Sequence, residues 1–165
     1  MTAGVPGAAP IACRPAVAAP IPAFAAPLRA VDLVSVGFSD GIMRVVATKT
    51  VVSTDPYLRG HFPGFTIFPG VFLIEALRQA VAAALDQPSP PELAQPAGRR
   101  PDIVELRSAR FLAALLPGDV FTIDARVGRE DDDGRFDVEA QCFRGDGVTA
   151  ARIKLRFRRG GPDDA

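Results

Sequence analysis

The segment GVFLIEALRQAVAAAL, residues 70–85, decides the fold of this chain. It contains no proline and is rich in good helix formers. Its apolar residues lie on almost every side, which predicts one helix buried on most of its faces. Four runs after it look extended. VFTIDARV (120–127), RFDVEAQCF (135–143) and VTAARIKLRFR (148–158) each alternate apolar and polar residues with period two. Phe121, Ile123, Ala125 and Val127 fall on one face of the first run; Phe136, Val138, Ala140 and Cys142 fall on one face of the second. DIVELRSARFLAAL (102–115) is a fourth extended run, ending at Pro117-Gly118-Asp119. Ahead of the helix, two β-rich runs meet at Ser39-Asp40-Gly41, which has the chemistry of a hairpin turn. The pattern predicts an α+β domain in which a meander of antiparallel strands wraps one apolar helix.

The ends are different. Residues 1–27 are low-complexity Ala/Pro sequence with too few packable side chains to offset ordering entropy, so a flexible extension is expected there. The domain is expected over 28–159, followed by a short tail at 160–165, with an exposed Pro-rich connector, DQPSPPELAQPAGRRPD, at 86–102. At 165 residues the chain fits one domain, with a second subunit expected if a long cavity has to be built. The formal net charge is zero, so no global positive field favours nucleic acid or an anionic membrane. No apolar run is long enough to span a bilayer. The start lacks the basic n-region of a secretory signal. Cys13 and Cys142 are far apart, with no metal or disulfide spacing. A cytoplasmic protein without a metal is the expectation.

Chemistry concentrates just before and inside the helix. His61, the only histidine, sits in His-Phe-Pro-Gly, and Pro69-Gly70 opens the helix that carries Glu75. Apolar neighbours Leu73, Ile74 and Leu77 suggest a carboxyl raised toward neutrality and able to donate a proton, with the imidazole as acceptor. The helix N-terminal amides of Gly70 and Val71 are unpartnered by geometry and suit an oxygen that gains charge. An acceptor, a donor and an oxyanion site are what elimination beside a carbonyl requires. Structural roles stay open for each group: the histidine as a turn cap, and the glutamate satisfied by Arg78 or a strand backbone.

GHFPGFTIFPGVFLIEALRQA closely resembles the active-site signature of the hot-dog-fold β-hydroxyacyl-acyl-carrier-protein dehydratases of fatty acid synthesis. His61, Phe62, Pro63, Gly64, Pro69, Gly70, Glu75, Ala76 and Gln79 match it without a gap, and ARFLAALLPGD (109–119) is similar to the family's Ala-Arg-Phe segment leading to Pro-Gly-Asp. The resemblance runs from about Leu28 to Arg158. It implies an antiparallel sheet around one helix, homodimers joined edge to edge, and an active site that takes the histidine from one copy and the acid from the other. It further implies dehydration of a 3-hydroxyacyl thioester to the trans-2-enoyl form. His61 would be the base at C2, Glu75 the donor to the leaving hydroxyl, the Gly70 and Val71 amides the oxyanion donors, and Gln79 the residue that orients Glu75. Phe62, Gly64, Phe65, Ile67, Phe68, Phe72 and Phe111 are candidates to contact the acyl chain. No cofactor is implied beyond the phosphopantetheine of an acyl carrier protein, the expected partner. A glutamate rather than an aspartate implies no isomerisation to the cis product.

Two segments depart from the family pattern. AFAAPLRAVD stands where the family has Leu-Pro-His-Arg, and Leu112-Ala113-Ala114 replaces Lys-Arg-Pro. Arg99, Arg100, Arg107 and Arg110 would form either a basic mouth for the carrier protein or a solvated charged face. An acyl thioesterase, a coenzyme A-linked hydratase of the same fold and a non-catalytic acyl-binding subunit are the competing functions.

Overall fold

In a computed structural model that describes residues 28–39, 41–58, 61–62, 64–87 and 100–159, one helix lies across one six-stranded antiparallel sheet. The expectations for the extension, the tail, Pro63, Arg99 and most of the connector fall outside the described residues. The strands are β1 (Leu33–Ser39), β2 (Ile42–Thr50), β3 (Pro101–Phe111), β4 (Val120–Val127), β5 (Arg135–Arg144) and β6 (Thr149–Arg159); the helix α1 spans Gly70–Leu85, and a 3-10 turn covers Pro56–Leu58. The β1–β2 hairpin turns through Gly41 at φ 72°, a left-handed conformation that glycine adopts without Cβ strain. No helix among the described residues is long and apolar enough to cross a membrane.

The alternation read from the sequence sets the sheet's inner face. Phe121, Ile123, Ala125, Val127, Phe136, Val138, Ala140, Cys142, Ala151, Ile153, Leu155 and Phe157 are all buried. They pack against Leu73, Ala76, Leu77, Ala80, Val81 and Ala84 of α1. Cys142 is a buried free thiol pushed up to about 12 by its burial; Cys13 lies outside the described residues. The helix is not buried all round, because Val71 is exposed and Glu75 and Arg78 are half-buried on the side facing away from the sheet.

Strand order corrects the expected simple meander. It runs β1-β2-β4-β5-β6-β3, so the chain leaves β2, crosses the sheet through α1 and lays β3 at the far edge before returning to the centre as β4. Two register shifts interrupt the β3–β6 ladder, after Ile103 and after Leu106. Each gives β3 an extra residue and turns its side chains over, which leaves Val104 and Leu106 half exposed. Proline at the first position of β3 suits an edge strand, where one missing amide donor costs little.

A third irregularity shapes the site. Between Cys142–Ala151 and Phe143–Thr149 the β5–β6 register slips, and Ala150 is the extra residue. Its carbonyl accepts the amides of Leu112 (2.8 Å) and Ala113 (3.3 Å), which pins the chain leaving β3 against the sheet. The segment before β1 is fastened as firmly. The Gln79 amide donates to the Leu28 carbonyl (2.7 Å) and accepts from the Ala30 N–H (3.0 Å), while the buried Lys49 ammonium reaches Asp32 at 3.3 Å.

Candidate active site

The described residues between Asp55 and Pro69 make a series of tight turns. The Leu58 amide donates to the Asp55 carbonyl, the His61 amide to the Leu58 carbonyl and the Phe65 amide to the Phe62 carbonyl. Phe62 takes φ 58°, a strained conformation for a bulky side chain, and sets its ring edge-on to the imidazole at 4.6 Å. Aromatic contacts carry the loop into the core: Tyr57 meets Phe72 at 4.8 Å, Phe72 meets Phe68 at 5.8 Å, and Phe68 meets the fully buried Phe121 at 5.4 Å. Burial, and then the 2.6 Å hydrogen bond to Asp55, push the Tyr57 hydroxyl well above its ordinary range, so it remains a donor.

His61 Nδ1 lies 2.9 Å from the carbonyl oxygen of Ile67. A carbonyl can only accept, so Nδ1 carries the proton and Nε2 is left with its lone pair. The loop therefore fixes the tautomer that a general base needs. The ring borders a cavity of about 430 Å³ lined by Phe62, Ile67 and Phe68, by Gly70, Val71 and Leu73 of α1, and by Phe111 to Leu115. The amides of Gly70 and Val71, first in the helix, have no preceding turn to bond. Glycine fits at position 70 without displacing a neighbour, whereas a β-carbon there would stand 2.9–3.0 Å from three atoms of the Phe111 ring, which would have to move.

Of the residues singled out in the sequence, His61, Gly70, Val71, Phe62, Ile67, Phe68 and Phe111 meet around this cavity. Phe72 packs behind it on Tyr57, and Gly64 and Phe65 are exposed outside it. The Leu112–Leu115 wall was not anticipated as lining. A signal for it was present, in the apolar replacement of a basic segment immediately before Pro-Gly-Asp. Its ends are held by the Ala150 carbonyl and by the Phe68 amide, which donates to Leu115 at 2.8 Å.

Glu75 does not line the cavity of its own chain. Gln79 donates to its Oε1 at 2.8 Å. Its protonation runs opposite to expectation. Arg78 binds the carboxylate with both edges of its guanidinium, Nε to Oε2 at 2.8 Å and Nη2 to Oε1 at 2.7 Å. The Arg78 hydrogen bonds hold the carboxyl below its ordinary range, and burial, which pushes the other way, is outweighed. Leu73 and Leu77 turn inward, whereas Glu75 shares its helix face with Arg78, so the apolar neighbours in sequence are not its surroundings in space.

The basic residues divide. Arg107 is neutralised by Glu105 (3.5 Å) and Asp137 (3.2 Å). Arg110 stands beside Arg152 on the sheet's outer face, in a cleft that also holds Arg126. Among the described residues no group of three or more His, Cys, Asp or Glu is placed to hold a metal ion.

The family model of ApeI-like proteins, described as ApeI dehydratase, matches residues 40–150, which covers β2, the histidine loop, α1 and strands β3 to β5. The chain belongs to the ApeI-like dehydratase family. Among curated relatives, a 3-hydroxyacyl-acyl-carrier-protein dehydratase FabZ of Symbiobacterium thermophilum is 41% identical over 86 residues, 51% of this chain and 56% of that protein. The chain spans about half the length of the curated relatives it matches. Solved structures share the hot-dog fold at low identity. A Streptococcus mutans protein bound to acetyl CoA superposes with a TM-score of 0.54 at 15% identity, over 81% of this chain and 94% of that one. A thioesterase superfamily member from Thermus thermophilus gives 0.53 at 14%, over 71% and 80%. This member of the ApeI-like family thus carries its histidine loop and helix acid on a fold it shares with a thioesterase superfamily member.

Proposed function

We propose that this chain dehydrates 3-hydroxyacyl thioesters, carried on the phosphopantetheine of an acyl carrier protein, to trans-2-enoyl thioesters, and that it does so in the cytoplasm as a homodimer without a bound cofactor. The observation that carries the reading is the His61 imidazole, with Nδ1 committed to Ile67 and Nε2 open to a cavity bounded by the N-terminus of α1. In the reaction His61 Nε2 takes the C2 proton, and the C–H electron pair becomes the C2–C3 π bond. The C3–O bond breaks with its electrons on oxygen, which leaves as water after receiving a proton from Glu75. The Gly70 amide donates to the thioester oxygen as charge builds there.

Glu75 stands outside the His61 cavity of its own chain, so the donor is supplied by a second copy. Support for that copy comes from the sheet edge. β3 has a neighbour on one side only, and Val104, Leu106, Phe111, the following Leu112 and the helix residue Val71 are about half exposed or more.

Purified protein is mixed with 3-hydroxyacyl and 2-enoyl thioesters, and enoyl absorbance and free thiol are followed together. Reversible hydration without thiol release, abolished in His61→Ala, is the expected result. Thiol release would instead make the chain a thioesterase, and an unchanged rate in His61→Ala would remove the assignment.

A further inference from the structure

Arg78 is the residue within the helix segment whose contacts most strongly oppose the chemistry just proposed. A carboxyl that must deliver a proton is gripped through both oxygens by a guanidinium on the next turn of its own helix, with Gln79 as a third donor. The pair is about 30% exposed on each side, so it is neither sealed in the core nor loose in solvent. We propose that Arg78 is a positioning residue for the dehydration, clamping Glu75 in its anionic form and thereby setting how much of the enzyme holds the proton that C3 requires. The inference rests on the dehydratase reading for its catalytic consequence, but the clamp itself does not need turnover to be observed.

The surroundings leave Arg78 in charge of that equilibrium. Within its own chain Glu75 is acted on by Arg78 and Gln79. From the strands packed against α1, Asp102 of β3 is the charged group that also attracts Arg78. β1 carries no charged side chain. Lys49 of β2 is committed to Asp32, Arg44 of β2 and Asp124 of β4 bind each other at 2.6 Å, and Glu105 and Arg107 of β3 are paired. Arg126 of β4 and Arg110 of β3 lie in the outer-face cleft. With the guanidinium in place, the protonated fraction of Glu75 at neutral pH is small and scales inversely with its acid dissociation constant. Removing the guanidinium raises that fraction by the factor by which the constant falls.

The test follows the Glu75 side-chain carboxyl carbon by NMR across pH in the full-length chain, assigned by its loss in Glu75→Gln, alongside kcat and KM at fixed neutral pH. The expected result is that Glu75 titrates at higher pH in Arg78→Ala than in wild type, with Arg78→Lys between them. In Arg78→Ala, kcat rises by the same factor as the dissociation constant falls while KM moves little, and Glu75→Gln is inactive with or without Arg78. Unchanged titration in Arg78→Ala refutes the clamp. A shifted titration with an unchanged or lower kcat overturns its part in catalysis. Wild-type protein with no hydration activity at any pH would instead refute the dehydratase reading, and the carbon titration would still judge whether Arg78 holds the carboxylate.

Discussion

Replacing Gly70 by alanine tests the cavity at its narrowest point. The added methyl would lie 2.9 Å from Cε1 and 3.0 Å from Cδ1 and Cγ of Phe111, where carbon atoms in contact prefer about 3.5–4.0 Å. Either the ring or the helix start must move by about half an ångström or more. Phe111 is 51% exposed at the end of an edge strand, so its ring can yield outward. Overpacking in a closed core costs about 1–3 kcal/mol, and this half-open site should sit at the low end. The smaller unfolded-state entropy of alanine returns about 0.4–1 kcal/mol, so the melting temperature should hardly change. Activity should change far more. The methyl and the displaced ring both crowd the amide assigned to the thioester oxygen, and loss of one such donor lowers kcat by about 10²–10³. Enoyl absorbance on Gly70→Ala, Phe111→Ala and the double variant, with thermal melts of each, separates the effects. Recovery of at least part of the lost kcat in the double variant is expected, because the methyl then has room. A Gly70→Ala protein with wild-type kcat, or a double variant no better than the product of the single ones, would refute the reasoning.

Gln79→Ala removes donors from the Leu28 carbonyl and the Glu75 carboxylate and leaves the fully buried Ala30 amide without an acceptor, so chemical denaturation should show a loss of about 2–3 kcal/mol. Acid should weaken the fold through a group of carboxyls held low in the native state. In Glu75, Asp124 and Asp137 the hydrogen bond of a paired arginine dominates; in Asp32 burial opposes, and the Thr50 amide with Lys49 outweighs it. A depressed native titration contributes stability that is present above the unfolded value, near pH 4, and is lost as pH falls below it. Melting temperature should therefore hold between pH 7 and about 5 and drop below about 4. A flat profile to pH 3 would mean that these pairs contribute nothing.

The residues that gave the fold away were those whose surroundings are set by their own element. Period two placed Phe121 to Val127 and Phe136 to Cys142 on the buried face, and proline-free helix formers bounded α1 at Gly70. Position in the sheet could not be read the same way. Whether β3 joins the centre or the edge depends on the crossover through α1, and no local pattern in 101–111 encodes its partner. The two bulges in β3 also break the alternation by which its faces would have been assigned. At the site, the Gly/Pro punctuation marked His61, Gly70 and the loop between them. Glu75 was misjudged because neighbours in sequence stood in for neighbours in space. Spacing of three along a helix puts Arg78 beside it, and that relation is legible once the face rather than the run is considered.

At its two ends the wall from Leu112 to Leu115 is anchored on main-chain atoms, the Ala150 carbonyl and the Phe68 amide, and between them the Arg144 guanidinium donates to the Ala114 carbonyl at 3.2 Å. Neither anchor depends on which side chains the wall carries. Mutational drift can therefore exchange Leu112, Ala113 or Ala114 for larger, smaller or charged residues while the scaffold behind them stays put. Under the proposed function, lineages descending from such a chain can retune which acyl groups they admit without rebuilding the machinery that acts on them.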